Sequence, residues 1–105
     1  MITLRVEGFD WDHGKRAKCQ KHGVTIAQIE ALFRGDLRIA PDPKHSHYED
    51  RMIAVGRTGI GRPLFVAFTI RNQDDRLLVR PVSARYMHAE EVAAYEKENA
   101  KAQDR

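Results

Sequence analysis

Two arginines, a serine and a tyrosine lie within residues 79–86, a segment that otherwise has the apolar pattern of a buried strand. Arg80 and Arg85 stand out, because a guanidinium group stays charged at any working pH and donates two parallel hydrogen bonds to phosphate oxygens. Two further arginines, Arg51 and Arg71, lie in or beside neighbouring strand-like segments. Taken singly, a strand arginine is more often a solvated side chain or an ion-pair partner. Together the four predict a phosphate-handling site.

The spacing of Arg80 and Arg85 sets a geometric condition on that site. Side chains on a regular strand alternate between two faces, so residues five apart point in opposite directions. Pro81 lacks an amide hydrogen and is tolerated in a sheet mainly at an edge or a bulge, and a bulge adds one residue to its strand. A bulge between residues 80 and 85 would bring both arginines to one face. Regular alternation would leave at most one of them in a shared site.

Hydrophobic periodicity and chain breakers predict the elements that position these residues. Residues 2–7 alternate between apolar and polar types before Gly8, Asp12 can cap a helix, and Thr25 and Gln28 have the spacing of a capping box. The predicted elements are a strand over 2–7, helices over 13–21 and 26–33, strands over 36–40, 49–56, 63–71 and 79–86, and a helix over 89–101. This order predicts an α+β fold with an antiparallel sheet, two N-terminal helices and a C-terminal helix.

Length and composition favour one domain with a modestly basic surface. The 105 residues carry a formal net charge of +3, which permits a polyanionic partner without requiring one. We expect a single domain over residues 1–105 whose last few residues fray. The single cysteine, Cys19, excludes an internal disulfide, and the N-terminus has no signal-peptide pattern, so we expect a cytoplasmic protein. No apolar run is long enough to insert into a membrane.

An ordered set of short motifs extends from about residue 9 to residue 95. Its residues are Phe9-Asp10-Trp11-Asp12, Lys15, Lys21-His22-Gly23-Val24-Thr25, Asp42, Glu49, Arg51, Gly56, Arg80 and Ser83-Ala84-Arg85. In this set the chain resembles the BrnT-type toxins of bacterial type II toxin–antitoxin systems. The resemblance implies a small ribonuclease with a RelE-like fold, held inactive in a hetero-oligomer by a BrnA-type antitoxin. It also implies that operator DNA is contacted only through that antitoxin.

The implied activity assigns roles to the candidate residues. RNA cleavage without a metal needs a base for the 2′-hydroxyl proton, cations for the crowded phosphorane, and an acid or a cation for the leaving 5′-oxygen. The arginines suit the cationic role, and the other side chains are candidates for carrying protons. The predicted catalytic residues are Lys21, His22, Glu49, Arg51, Arg80, Arg85 and Tyr86, and the predicted RNA contacts are Arg71, Lys15 and Lys18. No metal or organic cofactor is expected.

Structural alternatives stay open for the proton carriers. His22 either carries a proton or caps the end of the first helix. Glu49 is two residues from Arg51 and shares its strand face, so it is either a general base or one half of an exposed ion pair. Tyr86 either assists at the site or packs at the corner between strand and helix. His45 and His47 have a metal-like spacing, but no further ligand is fixed by the sequence, and no metal site is predicted.

Two other functions are compatible with the same sequence. One is a non-catalytic module whose basic sheet binds an antitoxin or RNA without cutting it, since a fold alone does not decide function. The other is an inactivated toxin that serves as a scaffold for operator binding. The chain departs from the family pattern at Cys19, where Asn is usual, at Ile26, where an aromatic residue is usual, and at Pro81, where an apolar strand residue is usual. Only Pro81 adjoins the predicted site.

Overall fold

Two helices pack on one face of a five-stranded sheet, and a third helix follows the last strand. This computed structural model describes residues 6–35, 37–41, 51–57 and 61–103. The elements are β1 (Gly8–Phe9), α1 (His13–Gln20), α2 (Ile26–Arg34), β2 (Leu37–Pro41), β3 (Met52–Gly56), β4 (Leu64–Gln73), β5 (Arg76–Tyr86) and α3 (Ala89–Gln103). The strand order across the sheet is β1-β5-β4-β3-β2. The predicted α+β class is confirmed.

Local hydrogen bonds fix the starts of the two helices that pack on the sheet. The Asp12 carboxylate accepts from the N–H groups of Gly14 and Lys15, at 3.0 and 3.2 Å, and so satisfies donors in the first turn of α1. Thr25 and Gln28 form the reciprocal capping box of α2. The helices predicted over 13–21 and 26–33 are confirmed to within one residue at each end.

The core lies between these helices and the sheet. From α2, Ile29, Leu32 and Phe33 are buried. The strand residues that meet them are Ala54, Leu64, Val66, Phe68, Val79 and Ala84. The ring of Phe33 packs edge-on against Phe68 at a centroid distance of 4.9 Å. This packing gives the middle of β4 and β5 a rigid support on the helix-facing side.

The prediction of a purely antiparallel sheet is wrong, because β1 pairs with β5 in parallel. Gly8 lies opposite Leu78, and Phe9 lies opposite Val79. The pairings of β2 with β3, β3 with β4 and β4 with β5 are antiparallel. A period-two pattern indicates a strand, but it does not determine which strand pairs with it or whether the pairing is parallel or antiparallel. The sheet is therefore mixed, and β1 is an edge strand next to β5.

The first strand is also displaced from its prediction. Of the predicted range 2–7, residues 2–5 lie outside the described residues, and residues 6 and 7 belong to no strand. Gly8, predicted to end the strand, instead begins β1. An added Cβ at Gly8 would lie 3.2 Å from a side-chain carbon of Leu78, so a glycine suits this close approach to β5.

The central hairpin is longer than predicted because its turn is tighter. The predicted strands stop at residue 71 and resume at residue 79, whereas β4 continues to Gln73 and β5 begins at Arg76. Asp74 and Asp75 have φ angles of 53° and 62°, the left-handed pair that a two-residue hairpin turn requires. Residues 42–50 and 58–60 lie outside the described residues. Among the described helices, none is long and apolar enough to cross a membrane.

Of the two geometries considered for residues 80–85, a bulge or regular alternation, β5 has the bulge. Ser83 pairs with Ala67, and Pro81 pairs with Phe68, so Val82 is an additional residue on β5 between two consecutive partners on β4. The bulge shifts the alternation of side chains by one position. Pro81 consequently lies on the helix-facing side, where it is buried opposite Phe68.

Candidate active site

A group of polar and charged side chains lies on the sheet face turned away from α1 and α2, here called the outer face. Directly opposite residues of paired strands share a face. Thr69 lies opposite Arg80, and Phe65 lies opposite Arg85, so the bulge brings both arginines to the outer face. The residues of this face used below are Ile53, Phe65, Ala67, Thr69, Arg71, Arg80, Ser83 and Arg85.

Arg71 and Arg80 share one carboxylate. Asp10, directly after β1, places its Oδ2 3.5 Å from Nη1 of Arg71 and 3.3 Å from Nε of Arg80. Two cations against one anion leave a net positive charge at this corner of the outer face. Within the described part of the chain, the buried Nε of Arg80 has no hydrogen-bond partner of suitable geometry. Its nearest acceptor is the Asp10 carboxylate, so a phosphate would contact Arg80 through the other N–H groups of the guanidinium.

Arg85 is held in a fixed plane by a second carboxylate. Its Nη1 and Nη2 donate to Oε1 and Oε2 of Glu91 at 2.8 and 3.0 Å, and Nη1 also donates to the Tyr86 carbonyl oxygen at 3.2 Å. The Arg85 Cζ lies 4.4 Å from the centroid of the Phe65 ring. Arg85 is therefore rigid and its charge is balanced locally, unlike the charges of Arg71 and Arg80.

Glu91 links Arg85 to the start of α3. Besides the two hydrogen bonds from Arg85, it accepts one at 2.8 Å from the backbone N–H of His88. These hydrogen bonds lower the pKa of Glu91 to about 2, while the bond to Glu91 raises the pKa of Arg85. The pair is thus fully ionised at neutral pH.

The Glu91→Gln variant is expected to be less stable than the parent protein by about 1 kcal/mol at pH 7. The expected loss is small because the Arg85 and Glu91 side chains are 40% and 31% exposed, so solvent screens their interaction. The folded-state pKa of Glu91 lies below that of an unfolded glutamate, about 4.3. The stabilisation is therefore fully present above that value and is lost as the pH falls towards 2. Urea unfolding between pH 7 and pH 3 measures the difference.

Glu90→Gln is the matched control, because Glu90 is in the same first turn of α3 and contributes the same interaction with the helix dipole. We expect Glu90→Gln to lose less stability at pH 7 and to show a weaker dependence on pH. Equal losses in the two variants at every pH would contradict the role assigned to Glu91.

A pocket of about 230 Å³ is lined both by residues of the outer face and by His22 of the α1–α2 turn. It is lined by His22, Ile53, Phe65, Ala67, Ser83, Ala84 and Arg85. The turn carries His22 and is closed by Gly23, whose φ of 86° favours glycine. Lys21, the C-terminal cap residue of α1, precedes His22 and is exposed. Two predicted site residues, His22 and Arg85, therefore meet at one cavity.

Tyr86 and the α1 lysines lie away from this group. Tyr86 pairs with Leu64 on the helix-facing side, and its hydroxyl donates to Oε1 of Gln28 at 3.1 Å. Lys15 and Lys18 lie on α1 near the buried Cys19 thiol, whose pKa burial raises to about 11 against the opposing effect of both lysines. Their predicted roles in RNA binding stay predictions.

Of the predicted pair Glu49 and Arg51, only Arg51 lies within the described residues. Arg51 is half-buried directly before β3, and extending the β3–β4 register by one residue would place it opposite Thr69, in the same row as Arg80. Glu49, His45 and His47 lie outside the described residues, so the predicted role of Glu49 stays a prediction. The described residues contain no cluster of three or more metal-binding side chains.

Sequence reasoning missed three residues that shape the site. Glu91 holds Arg85, Phe65 supports its guanidinium plane, and Asp10 joins Arg71 to Arg80. Asp10 was part of the family motif without a role, and Glu91 follows Arg85 by six residues across a strand-to-helix corner. A search for acidic residues at helix starts and strand ends would have found both, because such positions satisfy backbone N–H groups and can reach neighbouring cations.

Comparison with known protein families gives a match. The family model of the ribonuclease toxin BrnT of type II toxin–antitoxin systems matches residues 11–91. That range includes the α1–α2 turn, the bulge, Arg85 and Glu91. None of the individually curated proteins matches the chain significantly.

Proposed function

Because this chain belongs to the BrnT family of ribonuclease toxins of type II toxin–antitoxin systems, we propose that it is an endoribonuclease that cleaves single-stranded RNA on its outer face. The family implies an antitoxin partner. The observation that carries the proposal is the bulge at Val82, because it brings Arg80 to the same face as Arg71 and Arg85. A regular strand would have separated Arg80 from Arg85.

The proposed reaction is an attack of the 2′-hydroxyl oxygen on the adjacent phosphorus. The bond from phosphorus to the 5′-oxygen breaks, and the products are a 2′,3′-cyclic phosphate and a 5′-hydroxyl. A base takes the 2′-hydroxyl proton, and an acid gives a proton to the leaving oxygen. Arg71 and Arg80 stabilise the additional negative charge of the phosphorane, with Arg51 as a third candidate in their row. This division of roles requires neither a metal ion nor an organic cofactor.

His22 is the first candidate for the proton transfers. It lines the pocket with Ser83 and Arg85, and an imidazole can both accept and donate a proton near neutral pH. Lys21, one residue earlier, and Glu49 are the other candidates. Tyr86 is less suited, since its hydroxyl is hydrogen-bonded to Gln28 on the opposite side of the sheet.

The departures from the family pattern do not alter the outer face, which supports retained activity over an inactivated scaffold. Cys19 is buried in the core, and Ile26 opens α2 as a half-buried residue. Pro81 is buried on the helix-facing side of the bulge. A proline there costs little, because a bulge already interrupts the ladder of hydrogen bonds.

The remaining proposals concern the setting of this activity. We propose a single domain with a RelE-like fold that acts in the cytoplasm and forms a hetero-oligomer with a BrnA-type antitoxin. Operator DNA would be bound only through that antitoxin. The ordered motifs shared with the family and the α+β arrangement support this proposal.

The test is incubation of the purified protein with single-stranded RNA in the presence of EDTA. We expect cleavage products that end in a 2′,3′-cyclic phosphate, and we expect no cleavage where a 2′-deoxynucleotide replaces the nucleotide before the cut. Cleavage of the 2′-deoxy substrate, or a strict requirement for added Mg²⁺, would refute the proposed mechanism. Binding of RNA without any cleavage would favour the non-catalytic module instead.

A further inference from the structure

Arg85 has three of its five N–H groups in hydrogen bonds to described residues and one flat face covered. Three donated hydrogen bonds go to Glu91 and to the Tyr86 carbonyl oxygen. One face of the guanidinium lies on the Phe65 ring. The opposite face is the surface that Arg85 can offer to a ligand in the pocket that it helps to line.

The pocket has the composition of a site for a flat, weakly polar ring. Ile53, Phe65 and Ala67 contribute apolar surface, whereas Ser83 and His22 contribute hydrogen-bonding groups. Its volume of about 230 Å³ is below the roughly 300–1,000 Å³ of pockets that take drug-sized ligands. One ring system fits such a space better than a whole nucleotide.

We propose that this pocket binds one nucleobase of the RNA, stacked on the exposed face of the Arg85 guanidinium, with Ser83 at its polar edge. The proposal rests on the proposed function, since it requires RNA on the outer face. It changes the role of Arg85 from a phosphate ligand to a stacking platform. Stacking of bases on side-chain planes, including those of arginine, is a general mode of single-strand recognition.

A phosphate is the poorer ligand for Arg85. A phosphate on the Nη1–Nη2 edge of Arg85 would displace two charge-assisted hydrogen bonds to Glu91. On the two remaining N–H groups, of Nε and Nη2, a phosphate would lie close to the Glu91 carboxylate, which repels it, and the apolar part of the pocket would not solvate it. A base meets neither obstacle, because it contacts the flat face and leaves the ion pair intact.

The spacing on β4 separates the base from the phosphate site. Arg85 lies opposite Phe65, and Arg80 lies opposite Thr69, four residues along the same strand. At about 3.4 Å per residue this distance is roughly 14 Å. A base at Arg85 and a phosphate at Arg80 would therefore belong to different nucleotides of one strand, so the pocket would select a base near the cleavage site.

The test measures binding of a 2′-O-methyl RNA, which lacks the nucleophilic hydroxyl, over a range of salt concentrations. Arg85→Lys keeps the charge and can still pair with Glu91 but loses the planar face. We expect about 10-fold weaker binding with an unchanged salt dependence. Arg80→Gln removes a phosphate contact, so we expect the slope of log K against log salt to become shallower by about 0.7.

Two further probes keep the test independent of any folding defect in Arg85→Lys. Ala67→Met fills the pocket without a change of charge and is expected to weaken binding about 10-fold. Ala31→Met, at an exposed position of α2, is the matched control and should bind like the parent. A single abasic nucleotide, placed at each position in turn, should weaken binding to the parent protein at one position. In Arg85→Lys that loss should disappear, because the stacking partner is already absent.

The outcomes separate the base pocket from the proposed cleavage. A shallower salt slope for Arg85→Lys would show that Arg85 binds phosphate and would overturn the pocket proposal, as would parent-like binding by Ala67→Met. A different result would support the pocket and refute the cleavage. In that case an abasic nucleotide weakens binding of the 2′-O-methyl RNA at one position in the parent protein but not in Arg85→Lys, and the parent protein fails to cut unmodified RNA.

Discussion

The Arg80→Ala variant is expected to cleave RNA about 100-fold more slowly than the parent protein, mainly through kcat. Removal of a single preorganised donor to a developing oxyanion typically costs 10²–10³ in rate. Arg80 is the arginine best placed for that role, since the bulge brings it to the outer face, where it shares the Asp10 carboxylate with Arg71. It also lies beside Arg71, which raises the local positive charge. Single-turnover cleavage at saturating enzyme concentration measures the effect.

The loss should not reflect unfolding. Arg80 and Asp10 form a partly exposed ion pair, with side chains 34% and 26% exposed, and such pairs contribute about 0–1 kcal/mol. Asp10 retains Arg71 as a partner in the variant. The circular dichroism spectrum and the urea midpoint of Arg80→Ala should therefore remain close to those of the parent.

Arg76→Ala is the control for a general loss of positive charge. Arg76 lies on the same strand and pairs with a carboxylate, Glu7, at 3.8 Å, but it is at the far end of β5 from the pocket. We expect this variant to cleave RNA within about threefold of the parent. Equal rates for Arg80→Ala and Arg76→Ala, with a parent protein that cleaves RNA, would remove Arg80 from the catalytic group.

The helices that carry His22 could be predicted because their boundaries depend on local chemistry. The Asp12 cap and the box of Thr25 with Gln28 are satisfied by backbone groups within three residues. Such interactions join residues that are close in the sequence, so they can be predicted without knowing how the sheet is arranged. The position of His22 after α1 follows from the same local signals, whereas its approach to Arg85 depends on how the helices pack on β5.

The direction of β1 and the ion pairs of the outer face could not be predicted, because they join distant segments. Gly8 reaches Leu78 across most of the chain, and nothing in the alternation of residues 2–7 specifies that partner. Asp10 meets Arg71 and Arg80 only because β1 pairs with β5 in this register. The charge balance of the site is thus a property of the assembled sheet.

The bulge lies between these two cases. Pro81 is a local sequence signal for a bulge, because a residue without an amide hydrogen does not fit the hydrogen-bond ladder of a regular central strand. Its consequence is tertiary, since only the pairing with β4 decides that Val82 is the additional residue. The sequence predicted that Arg80 and Arg85 could share a face, and the structure adds that different carboxylates hold them there.

The largest effect on stability is expected for Phe68→Ala, at about 3–5 kcal/mol. Phe68 is fully buried, lies opposite Pro81 at the bulge, and packs edge-on against Phe33. Alanine would leave a cavity directly beneath the irregular part of β5. Because a domain of this size has a stability of about 5–15 kcal/mol, much of it would be lost, and urea unfolding measures the change.

Phe65→Ala on the same strand should show the opposite pattern. Phe65 lies three residues earlier, on the outer face, half-buried beneath the Arg85 guanidinium. We expect a stability loss of about 1 kcal/mol, since the half-buried Phe65 side chain buries less apolar surface on folding than Phe68 does. RNA binding should weaken about 10-fold, because the stacking platform loses its support. If Phe65→Ala were as unstable as Phe68→Ala and bound RNA normally when folded, the assignment of the two faces of β4 would be wrong, and with it the common face of Arg80 and Arg85.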